Sequence, residues 1–177
     1  MSLQGSTPSS STGPTSAYEG QTYSYIETSS PRTNGDVAIL QGPSITTSRT
    51  FCLSFAYHMY GSNIDSLFVN LASPNGNQTL FSRNGDAGDS WFVTSISIPA
   101  SNGEIQFIGV RGSSYRGDIA IDDVHFLDGE CSTRFNAVFR HRSVVGLRRR
   151  NIFLHRNIVT KNRRRCSHSA GPKYHYK

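Results

Sequence analysis

The sequence predicts an all-β sandwich of antiparallel strands, and three observations carry that expectation. Between residues 21 and 126, short apolar runs rich in β-branched and aromatic residues alternate with clusters of Gly, Asn, Asp, Pro and Ser, the spacing of sandwich strands and their turns. The run FCLSFAYHMY, residues 51–60, alternates with period two, so that successive side chains fall on opposite faces of a strand. No part of 21–126 sustains the apolar repeat of a helix.

Taken in order, residues 1–20 are rich in Ser, Thr, Gly and Pro, hold little that could be buried, and read as a loop, a linker or the opening of the domain. YSYIE (23–27) and VAIL (37–40) are the first two strands, separated by the turn-forming SSPRTNGD. In FCLSFAYHMY, Phe51, Leu53, Phe55, Tyr57 and Met59 share one face, with Cys52, Ser54, Ala56, His58 and Tyr60 on the other, which suits a central strand. His58 reads as a hydrogen-bonded strand histidine. SLFVNL (66–71) and QTLFS (78–82) flank the hairpin residues SPNGN. WFVTSISI (91–98) follows a Gly/Asp turn, with Trp91 as a core anchor. EIQFIGV (104–110) and IAIDDVHF (119–126) complete the set. In the last run Ile119, Ile121 and Asp123 alternate with Ala120, Asp122, Val124 and Phe126, which puts Asp122 and Asp123 on opposite faces and one of them half buried.

The formal net charge of +6 conceals a segregation of sign. Residues 1–131 hold all twelve acidic side chains and five of the eighteen basic ones, a balance of −7, whereas 132–177 hold thirteen basic residues and no acidic one. That break sets off a β-rich unit at 21–131 from a basic tail at 132–177, which is expected to be disordered. Its RRR clusters at 148–150 and 163–165 would suit glycosaminoglycan or an anionic membrane, with nucleic acid the less expected partner. No apolar run approaches the ~20 residues needed to span a bilayer. The opening MSLQGSTPSSSTGPTS lacks the basic and apolar regions of a secretion leader.

Three motifs bear on function. Arg116-Gly117-Asp118 has the form of an integrin-recognition tag, but it runs directly into a strand, where Gly is expected for backbone reasons and Asp118 would be pinned rather than displayed. Arg111 and Arg116 flank a Gly/Ser turn and could pair with Asp86 or Asp89 as surface ion pairs of small value. Asn77-Gln78-Thr79 is an N-glycosylation sequon in an exposed hairpin. The sequence carries no H-E-x-x-H, no G-x-S-x-G and no phosphate-cradling glycine loop, so no enzyme is expected. Three cysteines, with no C-x-x-C pair among them, leave at least one thiol without an intrachain partner.

The stretches TGPTSAYEGQTYSYIETSSPRTNGDVAIL (12–40), CLSFAYHMYGSNIDSLFVNL (52–71), GDAGDSW (85–91) and FIGVRGSSYRGDIAIDDVHFLDGEC (107–131) resemble a MAM domain, the extracellular adhesion module of meprins, neuropilins and receptor-type tyrosine phosphatases. The resemblance implies a jelly-roll sandwich whose CLSF strand is tied by a disulfide to a cysteine after the last strand, positions matched by Cys52 and Cys131. Such a bond closes a loop of about 80 residues, worth about 4 kcal/mol, and belongs to an oxidising compartment. The family's opening strand with its C-D-F-E-like motif, a second cysteine and a tryptophan segment have no counterpart before residue 5, so the chain reads as an N-terminally truncated member with an opened sheet edge. The tail matches nothing in the family.

The resemblance further implies a non-catalytic adhesion or protein-interaction module of a secreted or membrane-anchored protein. Its partner would be an extracellular protein or another MAM domain, homophilic binding included. A carbohydrate-binding jelly roll is the alternative; it would need an exposed aromatic row, and Tyr57 and Tyr60 fall on opposite faces. No cofactor is required. Calcium is a candidate at the jelly-roll edge, with Asp122 and Glu19 as ligands, because a buried carboxylate needs a partner.

Overall fold

The computed structural model describes residues 2–3, 5–131 and 158–161, and in it the chain forms two five-stranded antiparallel sheets. One sheet runs β1 (Ser2–Leu3), β2 (Tyr23–Ile26), β9 (Ile119–Asp128), β4 (Phe51–Met59), β7 (Trp91–Ile98). The other runs β10 (Ile158–Lys161), β3 (Val37–Thr47), β8 (Ser101–Arg111), β5 (Ile64–Ser73), β6 (Gly76–Asn84). The eight expected strands between Tyr23 and Asp128 are all present, in the expected jelly-roll sandwich. β3 extends further than VAIL, because a register break between Gln41 and Ser44 carries the strand past Pro43, which has no N–H to donate.

The core lies between the inner faces. Every residue of β4 is buried, as befits the strand flanked by β9 and β7. Its inner face meets the opposite sheet ring to ring: Phe55 stands edge-on to Phe107 at 5.1 Å and to Phe81 at 5.6 Å, and Tyr57 packs on Phe81 at 5.4 Å. Burying an aromatic of this size contributes about 1.5–3 kcal/mol, and favourable ring geometry adds to it.

The even alternation expected along the last strand does not hold. Between Ser54 and Ala56 of β4 the register shifts: Ser54 faces His125 and Ala56 faces Asp122, so β9 spends one extra residue there. Asp123 sits in the bulge with φ +48°, a conformation that Asp tolerates better than most residues. The bulge changes parity. Ile119 and Ile121 point into the core before it, and Val124 and Phe126 pack against the same core after it.

Residues 5–20 bury more than their composition suggested. Thr7, Thr12, Gly13 and Pro14 are buried, and the segment lies along the outer side of the first sheet. Tyr23 donates its hydroxyl to the Gly5 carbonyl at 2.7 Å, and Gly13 N–H donates to the Tyr60 carbonyl at 3.0 Å. Trp91 is half buried and packs against the buried Tyr23, Tyr25 and Ala120 on the outer side of the sheet rather than between the sheets: its ring meets Tyr23 at 5.8 Å and Tyr18 at 6.2 Å, and its indole N–H donates to the Ser16 carbonyl at 3.0 Å.

Beside β2, where an open edge was expected, β1 pairs Ser2 with Ser24 and Leu3 with Tyr23. The expected disorder of the tail, and the glycosaminoglycan and nucleic-acid readings of its basic residues, lie outside the described residues. Ile158–Lys161 are the exception, forming a strand paired with Val37–Leu40.

Candidate interaction site

The Arg-Gly-Asp segment forms a rigid loop end whose three residues have different fates. Asp118 is fully buried, with 0% of its surface exposed. Its carboxylate accepts the Thr28 N–H at 3.2 Å and the Thr28 hydroxyl at 2.9 Å. Its own N–H donates to the Thr12 hydroxyl oxygen at 2.9 Å, and that hydroxyl donates to the Tyr60 carbonyl at 2.8 Å. One buried aspartate thus ties the start of β9, the end of β2, the N-terminal segment and the end of β4 together. An integrin-type tag needs its carboxylate displayed; here it is enclosed.

The close approach of two loops demands glycine at 112 and 117. A Cβ at Gly117 would sit 2.6 Å from the Asn63 carbonyl oxygen, and one at Gly112 would collide with the same oxygen. The Asn63 N–H donates to the Arg116 carbonyl at 2.9 Å, and its side-chain amide donates to the Ser113 hydroxyl at 2.8 Å. Arg111 is turned inward, giving its Nε–H to the Thr28 carbonyl at 2.7 Å. Its expected pairing with Asp86 or Asp89, and that of Arg116, is not formed. Asp86 instead accepts the Gly61 and Gly88 N–H groups, and Asp89 faces His58 at 3.2 Å. What this frame presents is Tyr115, 42% exposed, with the Arg116 guanidinium 5.5 Å above its ring. Tyrosine and arginine are, with tryptophan, enriched among the side chains that dominate protein interfaces.

Burial pushes the Asp118 carboxyl up to about 6, against the pull of the Thr28 hydroxyl and with the help of Glu27. Asp122 is raised for the same first reason. His58 is lowered by burial, although Asp89 favours its charged form. The neutral ring can donate from Nε2 to Asp89, Nδ1 is buried with no hydrogen-bond partner among the described residues, and the ring stands edge-on to Trp91 with centroids 5.4 Å apart.

The residues named for calcium do not fit a cation. Both oxygens of Asp122 already face N–H donors: Tyr18 and Glu19 at 2.9 and 3.1 Å on Oδ2, Asp123 at 2.8 Å on Oδ1. Glu19 contributes its backbone, and its side chain is exposed. Among the described residues no group of three or more His, Cys, Asp or Glu gathers that could hold a metal. The half-buried carboxylate has its partner in the N-terminal segment.

Cys52 and Cys131 are joined by a disulfide across 79 positions of sequence. Cys131 also donates its N–H to the Ser97 hydroxyl at 2.8 Å, which fastens the end of the domain to β7. Asn77 is exposed, just beyond the Pro74-Asn75 turn rather than within it. Sequence reasoning missed Thr12, Thr28, Asn63 and Tyr115. The glycine-bracketed GSSYRG was a signal of a tight loop, but nothing local marked the two threonines.

A model of the MAM domain, meprin/A5/mu, matches residues 2–132. MAM domain-containing glycosylphosphatidylinositol anchor protein 1 of Rattus norvegicus is 43% identical over 134 residues, which are 71% of this chain and 14% of that protein. The corresponding anchor protein 2 of Mus musculus is 38% identical over 138 residues, 68% of this chain and 14% of that protein. The chain thus spans a small part of these relatives' length. Among solved structures, the K3 cleaved adhesin domain of Lys-gingipain from Porphyromonas gingivalis superposes with a TM-score of 0.49 at 16% identity, covering 61% of this chain and 73% of that one. Through residues 2–132, the chain belongs to the MAM domain family.

Proposed function

We propose that the sandwich is a non-catalytic, extracellular interaction module of a larger cell-surface or secreted protein, and that it binds an extracellular protein through the Tyr115–Arg116 loop end. The observation that carries this reading is the exposed Tyr115–Arg116 pair on a loop held from four sides. A preformed tip loses little freedom on binding, which lowers the entropic cost of association. The Cys52–Cys131 bond suits an oxidising compartment. The named relatives carry a lipid anchor in their names, which supports a cell-surface setting.

The sugar-binding alternative needs a row of exposed aromatics. The exposed large apolar residues among the described ones are Phe92, Val93 and Tyr115, divided between β7 and a loop, so the protein-interaction reading is preferred.

The test is titration of the labelled, secreted full chain onto a panel of intact cells, with the Tyr115→Ala/Arg116→Ala variant beside it. The variant should keep its stability to within about 0.5 kcal/mol, as exposed substitutions do, and lose most of the saturable binding. Unchanged binding by the variant would overturn the loop end as the site. Competition with unlabelled chain and size analysis of cross-linked complexes tell a second copy from a different protein.

A further inference from the structure

Among the described residues, the edge strand β6 holds a stretch with none of the usual protections. Sheet edges expose unpaired backbone groups, and proteins blunt them with charge, proline, bulges or a covering segment. On the opposite side of the same sheet, β3 is interrupted near Pro43 and bears β10. β6 has a bulge where Val69 and Asn70 face Phe81 and Thr79, and Arg83 lies beyond it. Before the bulge, Gly76–Thr79 is straight, uncharged and exposed throughout. The sequon occupies that stretch.

The register places the acceptor well. Asn77 faces Ala72 and Thr79 faces Asn70, so both lie on one face of the sheet. Between them Gln78 faces Leu71, which is buried in the core. The Asn77 and Thr79 side chains therefore share the outer, solvent side, and a branched sugar on Asn77 Nδ2 would project from the edge without entering the sandwich.

We infer that Asn77 carries an N-linked glycan and that this glycan guards the Gly76–Thr79 edge against pairing with the same edge of a second copy. The inference rests on the extracellular reading, because the modification requires passage through the secretory pathway. The bond forms between Asn77 Nδ2 and the reducing-end carbon of an oligosaccharide supplied on a lipid diphosphate donor. The amide loses a proton and the lipid diphosphate leaves.

The experiment expresses the full chain behind a cleavable secretion leader in animal cells and maps its peptides before and after enzymatic deglycosylation in heavy-oxygen water. The occupied site is read as conversion of Asn77 to Asp. Occupancy should be found on chain whose Cys52 and Cys131 are joined, should persist in Thr79→Ser, and should vanish in Thr79→Ala. Sedimentation then compares wild type, Asn77→Gln and Asn77→Lys. The Gln variant should self-associate roughly tenfold more tightly, about the worth of one backbone hydrogen bond, whereas the Lys variant, which guards the edge by charge, should match wild type. β7, uncharged over Trp91–Ile98, is unaltered in all three and supplies the common baseline.

Secreted, disulfide-bonded chain with Asn77 unmodified would overturn the site. A Gln variant that associates no more than wild type, or a Lys variant that associates as much as Gln, would overturn the guarding role. Chain retained in the cell with Cys52 and Cys131 reduced would instead overturn the extracellular reading.

Discussion

At the scale of single residues, Asp118 and His58 give the domain two opposed responses to acid. With the Asp118 carboxyl raised to about 6 from an ordinary 3.8, the folded protein is the better proton binder between those values. Its contribution to stability is therefore full below about 3.8 and is lost as pH rises through about 6, a swing on the order of 3 kcal/mol. Asp122, raised likewise, acts in the same direction. His58 is lowered, so its unfolded form binds the proton first, and its contribution is lost as pH falls below 6.5. Melting curves taken between about pH 7 and pH 5 should thus show Asp118→Asn gaining less, or losing more, on acidification than wild type. His58→Gln should gain more. Parallel profiles for all three proteins would mean that neither group is linked to folding. The sequence showed that Asp118 would be held rather than displayed, but not by what. Its partner Thr28 lies 90 positions away.

At the scale of elements, the bulge in β9 decides which side chains of IAIDDVHF reach the core. A strand read with strict period two sends Val124 and Phe126 to the face opposite Ile119 and Ile121, yet all four serve one core. Asp123 makes this workable by accepting φ +48° and by lying against the His125 ring two residues on. Asp123→Asn should be tolerated, because Asn also enters this region of backbone space readily. Asp123→Val should cost about 1–3 kcal/mol in urea unfolding, since a β-branched side chain is strained there. Equal stability of the two variants would show that the bulge relaxes without cost. The strands themselves were legible because β-branched and aromatic runs between turn residues are local signals. The bulge was not, since it depends on the register with β4.

At the scale of the whole molecule, the Cys52–Cys131 bond restricts the unfolded chain's freedom, while the N-terminal segment is bonded to Tyr23, Trp91 and Asp122 of the sheet that bears Cys52. Replacing both cysteines with alanine should lower unfolding free energy by about 4 kcal/mol in denaturant titration of non-reduced protein. A loss of less than about 1 kcal/mol would indicate that the reduced chain is already compact. The sequence by itself determined the strands and the central place of FCLSFAYHMY, because alternation and turn chemistry act over a few residues. Only the tertiary structure decided where the buried carboxylates find their donors. Tyr18 and Glu19 close on Asp122, and Thr12 on Asp118, from 103 to 106 positions away. The physical reason is that a short Ser/Thr/Gly/Pro-rich segment has no apolar period to advertise. It is placed by hydrogen bonds whose other halves exist only after the sheets have formed.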